Sequence, residues 1–276
     1  MADDAPERRG LRSAARPDPE TGPISRAFSI LELVAERGGA TAREIAEASG
    51  LPLPTVYRLS QELVRNGYLV HLKKRQRFEL GYRLHNLDVA LHRQVAVPPA
   101  VRAVVDSLHE ACGMAAYYAV YRGTDVILAH VSDCAKHPRV KPLDFGFNEA
   151  AHATAFGKIM LAGMAAEDRQ AYLAARGMPP LTPQTITKPA RLEAELRDVV
   201  TLGIAWESEE MLPGMACGAV AVHGPAGTIT GAVSISSSPC DLRRRRQETD
   251  RLLREHASQV SRYFRSGCVR IAGRRA

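Results

Sequence analysis

Between residues 41 and 69 the chain reads TAREIAEASGLPLPTVYRLSQELVRNGYL, and that stretch admits few folds. Thr41 with Glu44 three residues on is a capping-box pattern, so a helix starts there. Ile45 and Ala46 give that helix an apolar side, and Gly50 ends it. Proline is tolerated only in a first helical turn, so a second helix must begin near Pro52 or Pro54. It turns Val56, Leu59 and Leu63 toward a core and stops at Asn66-Gly67. Thr55, Tyr57, Arg58, Gln61 and Arg65 are left facing outward. Two short helices about a glycine turn form a helix-turn-helix pattern, whose second helix enters the DNA major groove.

The flanks extend the pattern. Ala27, Ile30, Leu31 and Val34 recur at helical spacing ahead of Gly38-Gly39, which predicts a further helix. After Gly67, residues 68–72 and 77–80 are two short alternating runs joined by Lys73, Lys74, Arg75 and Gln76, the signature of a two-stranded wing. With Arg77, these bases place positive charge on one tip, suited to phosphate contacts that fix the register of a recognition helix. On that helix arginine can fork onto guanine, the Thr55 methyl can meet a thymine methyl, and Tyr57 can reach a phosphate or base edge. The bland alternative is a small helical domain with a solvated polar face.

Residues 83–96 predict another helix, with Leu84, Leu87 and Leu91 on one stripe, and Pro98-Pro99 mark the start of a second domain. There MAAYYAVY and DVILAHV flank a turn at Arg122-Gly123-Thr124, a hairpin pattern. HATAFGKIMLAGM and RLEAELRDVVTL read as helices, ACGAVAV and TITGAVSIS as a second hairpin about HGPAG, and Asp241 as the cap of a long final helix reaching Tyr263. The expected architecture is α+β: a disordered tail at 1–23, a DNA-binding domain at 24–82, a linker helix at 83–96, a second domain at 97–266 and a basic tail at 267–276.

Charge bears on partners. The net charge is +7, and the basic residues gather at 65–83 and 243–275, which favours an anionic partner. No apolar run approaches the length of a membrane span, and the first residues, MADDAPERRG, lack the apolar segment of a secretory signal. Five cysteines without a C-x-x-C spacing fit a reducing cytoplasm.

Catalytic motifs are absent: there is no G-x-S-x-G, no H-E-x-x-H, and Gly157-Lys158 is followed by Ile159 rather than the Ser or Thr of a P-loop. His152 could act as a base, although a histidine at a helix start more often holds structure. No catalytic residue, cofactor or metal is therefore expected. The one rival is HVSDCAKH, where His130, Asp133, Cys134 and His137 are metal-ligand types without a recognised spacing.

Taken together, SRAFSILELVAERGGATAREIAEASGLPLPTVYRLSQELVRNGYL, FELGYRL, HATAFGKIMLA, GIAWESEEMLPGMACGAVAV and GTITGAVSIS resemble the IclR family of bacterial transcriptional regulators. The resemblance implies a winged helix-turn-helix, a linker helix, a GAF-like effector-binding domain and a homodimer, often a dimer of dimers. Its partners would be double-stranded operator DNA and a small cytoplasmic metabolite, an organic or aromatic acid. The DNA-contacting positions it implies are Leu53, Pro54, Thr55, Tyr57, Arg58, Lys73, Lys74 and Arg75. The effector positions are the amides of Ala155 and Phe156 and the side chains of Glu207, Cys217, Ser234 and Ser236. Ala155 and Phe156 follow His152 in a first helical turn, where free amides favour an anion, and Ser234 and Ser236 share one strand face. Three positions depart from the family pattern: Pro54 stands where a small polar residue is usual, Glu207 where Asp is common, and Ala150 where Pro is common.

Overall fold

The structure is a computed structural model that describes residues 22–266, so the rest of the two expected tails lies outside the described residues. The chain forms two compact units, Met1–Gln94 and Val95–Ala276.

In the first unit, helix α1 (Pro23–Glu36) buries Ile30, Leu33 and Val34. Strand β1 (Ala40–Thr41) leads into α2 (Ala42–Ser49). The capping box at that junction is complete: the Glu44 amide donates to Thr41 Oγ1 at 3.2 Å, and the Thr41 amide donates to Glu44 Oε2 at 2.7 Å. Gly50 closes α2 at φ 69°, a left-handed conformation that glycine adopts without a Cβ penalty. Helix α3 (Leu53–Arg65) follows with Pro52 as its N-cap and Pro54 in its first turn. Strands β2 (Leu69–Leu72) and β3 (Arg77–Leu80) are antiparallel, and β3 also pairs with β1 through Ala40 opposite Phe78. Two-residue β1 is too short to carry a readable period, so the sequence predicts two strands where three exist. Ile30, Val34, Ile45, Val56, Leu59, Leu69 and Phe78 make the core. Helix α4 (Arg83–Gln94) ends two residues short of the expected 96 and buries no residue.

The second unit is built on a five-stranded sheet whose neighbours are all antiparallel, in the order β5-β4-β8-β7-β6. These strands are β4 (Ala115–Arg122), β5 (Asp125–Ser132), β6 (Ile204–Ser208), β7 (Ala216–His223) and β8 (Ile229–Ser237). Helices α5 (Pro99–Cys112) and α10 (Arg246–Arg265) pack Val101, Val105, Leu108, Leu253 and Val260 against one face, which supplies Ala116, Tyr118, Val220, Val233 and Ile235. By strand alternation the other face carries Tyr117, Ala205, Glu207, Cys217, Ala219, Ser234 and Ser236. Helix α6 (Ala155–Gly163) packs on β6, β7 and β8, with α7 (Ala166–Arg176) and α8 (Pro189–Leu202) beyond it.

One expectation is corrected here. Asp241 does not cap the last helix: Ser238 Oγ accepts the Asp241 amide at 3.2 Å and opens a separate short helix, α9 (Pro239–Arg244). The chain breaks at Arg245 before α10 begins. Asp241 instead pairs with Arg244 at 2.7 Å.

The capping box yields a prediction. Thr41→Ala removes the side-chain acceptor at the N-terminus of α2 and lowers the stability of the first unit by about 1 kcal/mol, while Thr41→Asp retains most of it. Urea unfolding followed by circular dichroism measures both, and equal midpoints for wild type and Thr41→Ala would refute it.

Candidate DNA face and ligand pocket

On α3 the apolar side is spent on the core, which leaves Leu53, Pro54, Tyr57, Arg58, Gln61 and Arg65 exposed; Thr55 is half-buried. Leu53 is 39% and Tyr57 46% exposed, so the start of the helix presents apolar as well as polar surface to water. Arg65 pairs with Glu62 at 3.2 Å, whereas Arg58 has no ion pair among the described residues. Lys73, Lys74 and Arg75 form a 3-10 turn at the β2–β3 tip, all exposed. Arg77 is not part of that tip. Its Nη2 donates to the Gly38 carbonyl at 2.9 Å, and it lies so close to Gly39 that a Cβ there would come within 2.2 Å of the guanidinium. Gly39, at φ 120°, therefore makes room for an arginine that fastens β3 to the end of α1.

The second unit brings three of the expected side chains into a single row. Glu207 on β6 pairs with Cys217 on β7, which pairs with Ser236 on β8. Directly opposed residues of an antiparallel sheet point to the same face, so carboxylate, thiol and hydroxyl line up across three strands. Ser234 stands one row away, opposite Ala219 on one side and Tyr117 on the other. All four are at most 4% exposed.

Helix α6 supplies the backbone amides. Thr154 is its N-cap and accepts the Gly157 amide at 3.2 Å, which leaves Ala155 and Phe156 in the first turn without a helical acceptor. Both residues are buried, and the Phe156 ring meets Phe147 edge-on at 6.3 Å. His152 sits just before the helix in a 3-10 turn, buried, with Nε2 at 3.2 Å from the Pro179 carbonyl. Burial holds its pKa below the ordinary histidine value, so it is a neutral donor that anchors a loop.

Two buried residues next to these side chains are not legible in the sequence. Tyr117 hydrogen-bonds Ser236 Oγ at 2.8 Å, and burial pushes its pKa up to about 12. Lys158, with no exposed surface, sends Nζ to Glu195 Oε1 and to Glu210 Oε1, each at 2.5 Å. The only sequence signal for Lys158 is a lone charge in the apolar run AFGKIMLAG.

Electrostatics single out Glu207. Burial pushes it up to about 7, against the Cys217 thiol and the Glu210 amide, which favour the ionised form. The Glu210 amide donates to Glu207 Oε2 at 3.1 Å, while Oε1 has no hydrogen-bond partner of good geometry in the chain. Ser234 Oγ is likewise buried and unpartnered. Buried polar atoms are nearly always satisfied, so two orphans on one wall make it a candidate place for a ligand or water.

The HVSDCAKH segment does not assemble as a metal centre. His130 Nε2 contacts Asp106 Oδ1 at 2.9 Å, and both Asp133 oxygens are taken by Arg139, at 2.8 and 3.0 Å. Among the described residues no group of three His, Cys, Asp or Glu side chains is placed to hold a metal ion. No described helix is long and apolar enough to cross a membrane.

Glu207 generates a pH prediction. Its folded-state value, about 7, lies above its ordinary 4.5, so its contribution to stability is fully present below 4.5 and is lost as pH rises through 7. The stability difference between wild type and Glu207→Gln should therefore fall across that window by a few kcal/mol at most. Comparing the two proteins cancels the opposite trend of His152. Parallel stability–pH curves for the two would show that Glu207 is not strained by burial.

Known proteins share these two domains. Residues 23–72 match the model of the IclR helix-turn-helix domain, and residues 89–262 that of the bacterial transcriptional regulator IclR C-terminal domain. The HTH-type transcriptional regulator BhcR of Paracoccus denitrificans is 28% identical over 214 residues, 77% of this chain and 76% of that protein. The crystal structure of Thermotoga maritima IclR superposes with a TM-score of 0.70 at 24% identity, covering 88% of this chain and 98% of that one. An IclR homologue of Microbacterium hydrocarbonoxydans, solved as a complex with 4-hydroxybenzoate, gives a TM-score of 0.68 at 22% identity, over 89% and 100%. With both family models matched in order across the two units, the chain belongs to the IclR family of DNA-binding transcriptional regulators.

Proposed function

We propose that the chain binds a near-palindromic operator as a homodimer or dimer of dimers, and that a small cytoplasmic organic or aromatic acid sets its operator affinity. The observation that carries the second half is the buried row Glu207–Cys217–Ser236, flanked by the unpartnered Ser234 Oγ and Glu207 Oε1. A carboxylate would sit against the free amides of Ala155 and Phe156, and the serine hydroxyls would add hydrogen bonds. Glu207 disfavours a second bare carboxylate and favours a hydroxyl, amine or amide donor on the ligand. The 4-hydroxybenzoate bound to the Microbacterium homologue has that combination of groups. No catalytic role is assigned to any residue.

At the DNA end, Leu53, Pro54, Thr55, Tyr57 and Arg58 would meet the major groove, and Lys73, Lys74 and Arg75 the phosphates. The exposed Leu87 on α4, 51% accessible, belongs to the stripe through which two copies would join. The ligand acts by favouring either the DNA-competent or the incompetent form; equal affinity for both would shift nothing.

Substitutions test both ends of the chain. Lys73→Ala with Lys74→Ala should weaken operator binding without changing the preferred sequence, and lower the slope of log affinity against log salt by about 0.9 for each phosphate no longer neutralised. Arg58→Ala should relax base preference. Mobility-shift titrations over several salt concentrations read both, and the absence of preference among genomic fragments at any salt would overturn operator binding. In the second unit, Ser236→Ala or Glu207→Gln should weaken the response to ligand tenfold or more, as the loss of one charge-assisted hydrogen bond implies, while leaving ligand-free DNA affinity near wild type. Calorimetry that finds the inducer bound equally by wild type, Ser234→Ala, Ser236→Ala and Glu207→Gln would displace the site from this wall.

A further inference from the structure

The outward face of α3 changes chemistry along its length. From Arg58 onward Arg58, Gln61 and Arg65 are exposed, and each can donate hydrogen bonds to base edges or phosphates. Before Arg58 the exposed residues are Pro52, Leu53, Pro54 and Tyr57, and the only hydrogen-bonding side-chain group among them is the Tyr57 hydroxyl. Tyr57 lies four residues after Leu53 and three after Pro54, so the three side chains adjoin on one face of the helix. Exposed apolar side chains are ordinary on a protein surface. On this helix they occupy the end that meets the bases in a helix-turn-helix.

The backbone does not replace the missing polar groups. An ordinary helix start leaves its first-turn amides free to bind a partner. Here Pro54 has no N–H, and the amides of Thr55 and Val56 both donate to the Pro52 carbonyl, at 2.8 and 3.1 Å. No side chain caps the helix, and Leu53 is left with the one first-turn amide that the helix does not use. Pro52 and Pro54 each lock a backbone dihedral, so this apolar surface loses little freedom when a partner meets it.

A side chain without donors or acceptors can discriminate among bases in one way. In the major groove guanine, adenine and cytosine present only hydrogen-bonding groups, while thymine adds a C5 methyl to its carbonyl. Leu53 or Pro54 pressed against the first three would take polar groups out of water with nothing to satisfy them. Against thymine each meets the methyl, and both apolar surfaces leave water. The Tyr57 ring can cover a methyl beside them while its hydroxyl reaches a phosphate. Lys73, Lys74 and Arg75, exposed at the wing tip of the same unit, supply the positive charge that holds a duplex, which makes DNA the occupant of this patch.

We infer that Leu53, Pro54 and Tyr57 read thymine. Where the start of α3 enters the groove, the operator half-site carries thymine C5 methyls, and apolar contact with them selects the sequence there. The inference rests on the operator-binding reading above and adds what the start of that helix recognises. Selection then passes along one helix from methyl contact to the hydrogen bonds that Arg58 can offer a guanine.

Selection of the preferred duplex from a random pool by the full chain, followed by base-analogue substitution, tests this. The selected half-site should contain thymines. Replacing them one at a time with deoxyuridine, which is thymidine without its methyl, should weaken binding about fourfold at each contacted position. 5-Bromodeoxyuridine, whose bromine is close to a methyl in size, should restore it. Leu53→Ala, at an exposed position, separates contact from any effect of uridine on the duplex itself. In that variant the thymine–deoxyuridine difference should shrink at one position or more, whereas Lys73→Ala with Lys74→Ala should keep it in full. The inference is overturned if wild type binds deoxyuridine as well as thymidine at every thymine of the half-site. It is equally overturned if the difference persists undiminished in Leu53→Ala, Pro54→Ala and Tyr57→Ala alike. A change of oligomeric state in Leu53→Ala by light scattering, with thymine preference intact, would assign the patch to a protein partner and overturn it too. No preferred sequence at all would remove operator reading itself, and this inference with it.

Discussion

A lysine with no exposed surface is the constraint around which the second unit is arranged. Taking an ammonium group out of water costs several kcal/mol unless opposite charges and hydrogen bonds meet it. Lys158 is met by Glu195 of α8 and by Glu210 in the turn after β6, both at 2.5 Å. One side chain on α6 therefore ties down the helix beyond it and the end of the edge strand beneath it. The arrangement also fixes where Glu210 stands, and with it the backbone amide that holds one oxygen of Glu207. Replacing Lys158 by an apolar residue would strip the buried Glu210 carboxylate of its counter-charge and leave it beside Glu195, whose side chain is 32% exposed.

How much of this is legible in the sequence varies with the range of the interaction. Local rules suffice for the first unit: the capping box at Thr41, the left-handed Gly50 and the prolines of α3 all lie within a few residues of what they determine. The wing is equally readable, apart from β1, whose two residues become a strand only because β3 lies alongside. Arg77 reads as part of the basic tip because charge alone carries no direction; its partner, the Gly38 carbonyl, is 39 residues away.

In the second unit the hairpins are legible from their turns, whereas α5, α7 and α9 carry no signal of that strength. Asp241 has the residue type of a cap, yet Ser238 three residues earlier does that work. The effector positions come from family resemblance, since two serines on a strand are ordinarily just solvated. What the fold adds is the cross-strand register that sets Glu207, Cys217 and Ser236 in one row. Tyr117 and Lys158 complete the wall through contacts separated by 119 and 52 residues, distances at which no periodicity speaks.

The Trp206 ring, which lies against Gly218 on one side and carries the Arg246 guanidinium in cation–π contact, has an optical consequence. Trp206 is the only tryptophan among 276 residues, so all indole emission of the chain originates at one point on β6. That point adjoins Glu207 in sequence and carries a guanidinium at 4.3 Å. Any rearrangement of the sheet edge changes the polarity and the charge seen by a single chromophore, with no second indole to blur the signal. The molecule carries its own spectroscopic label, placed by the fold on the edge strand, one residue from Glu207 and on the opposite face of the sheet.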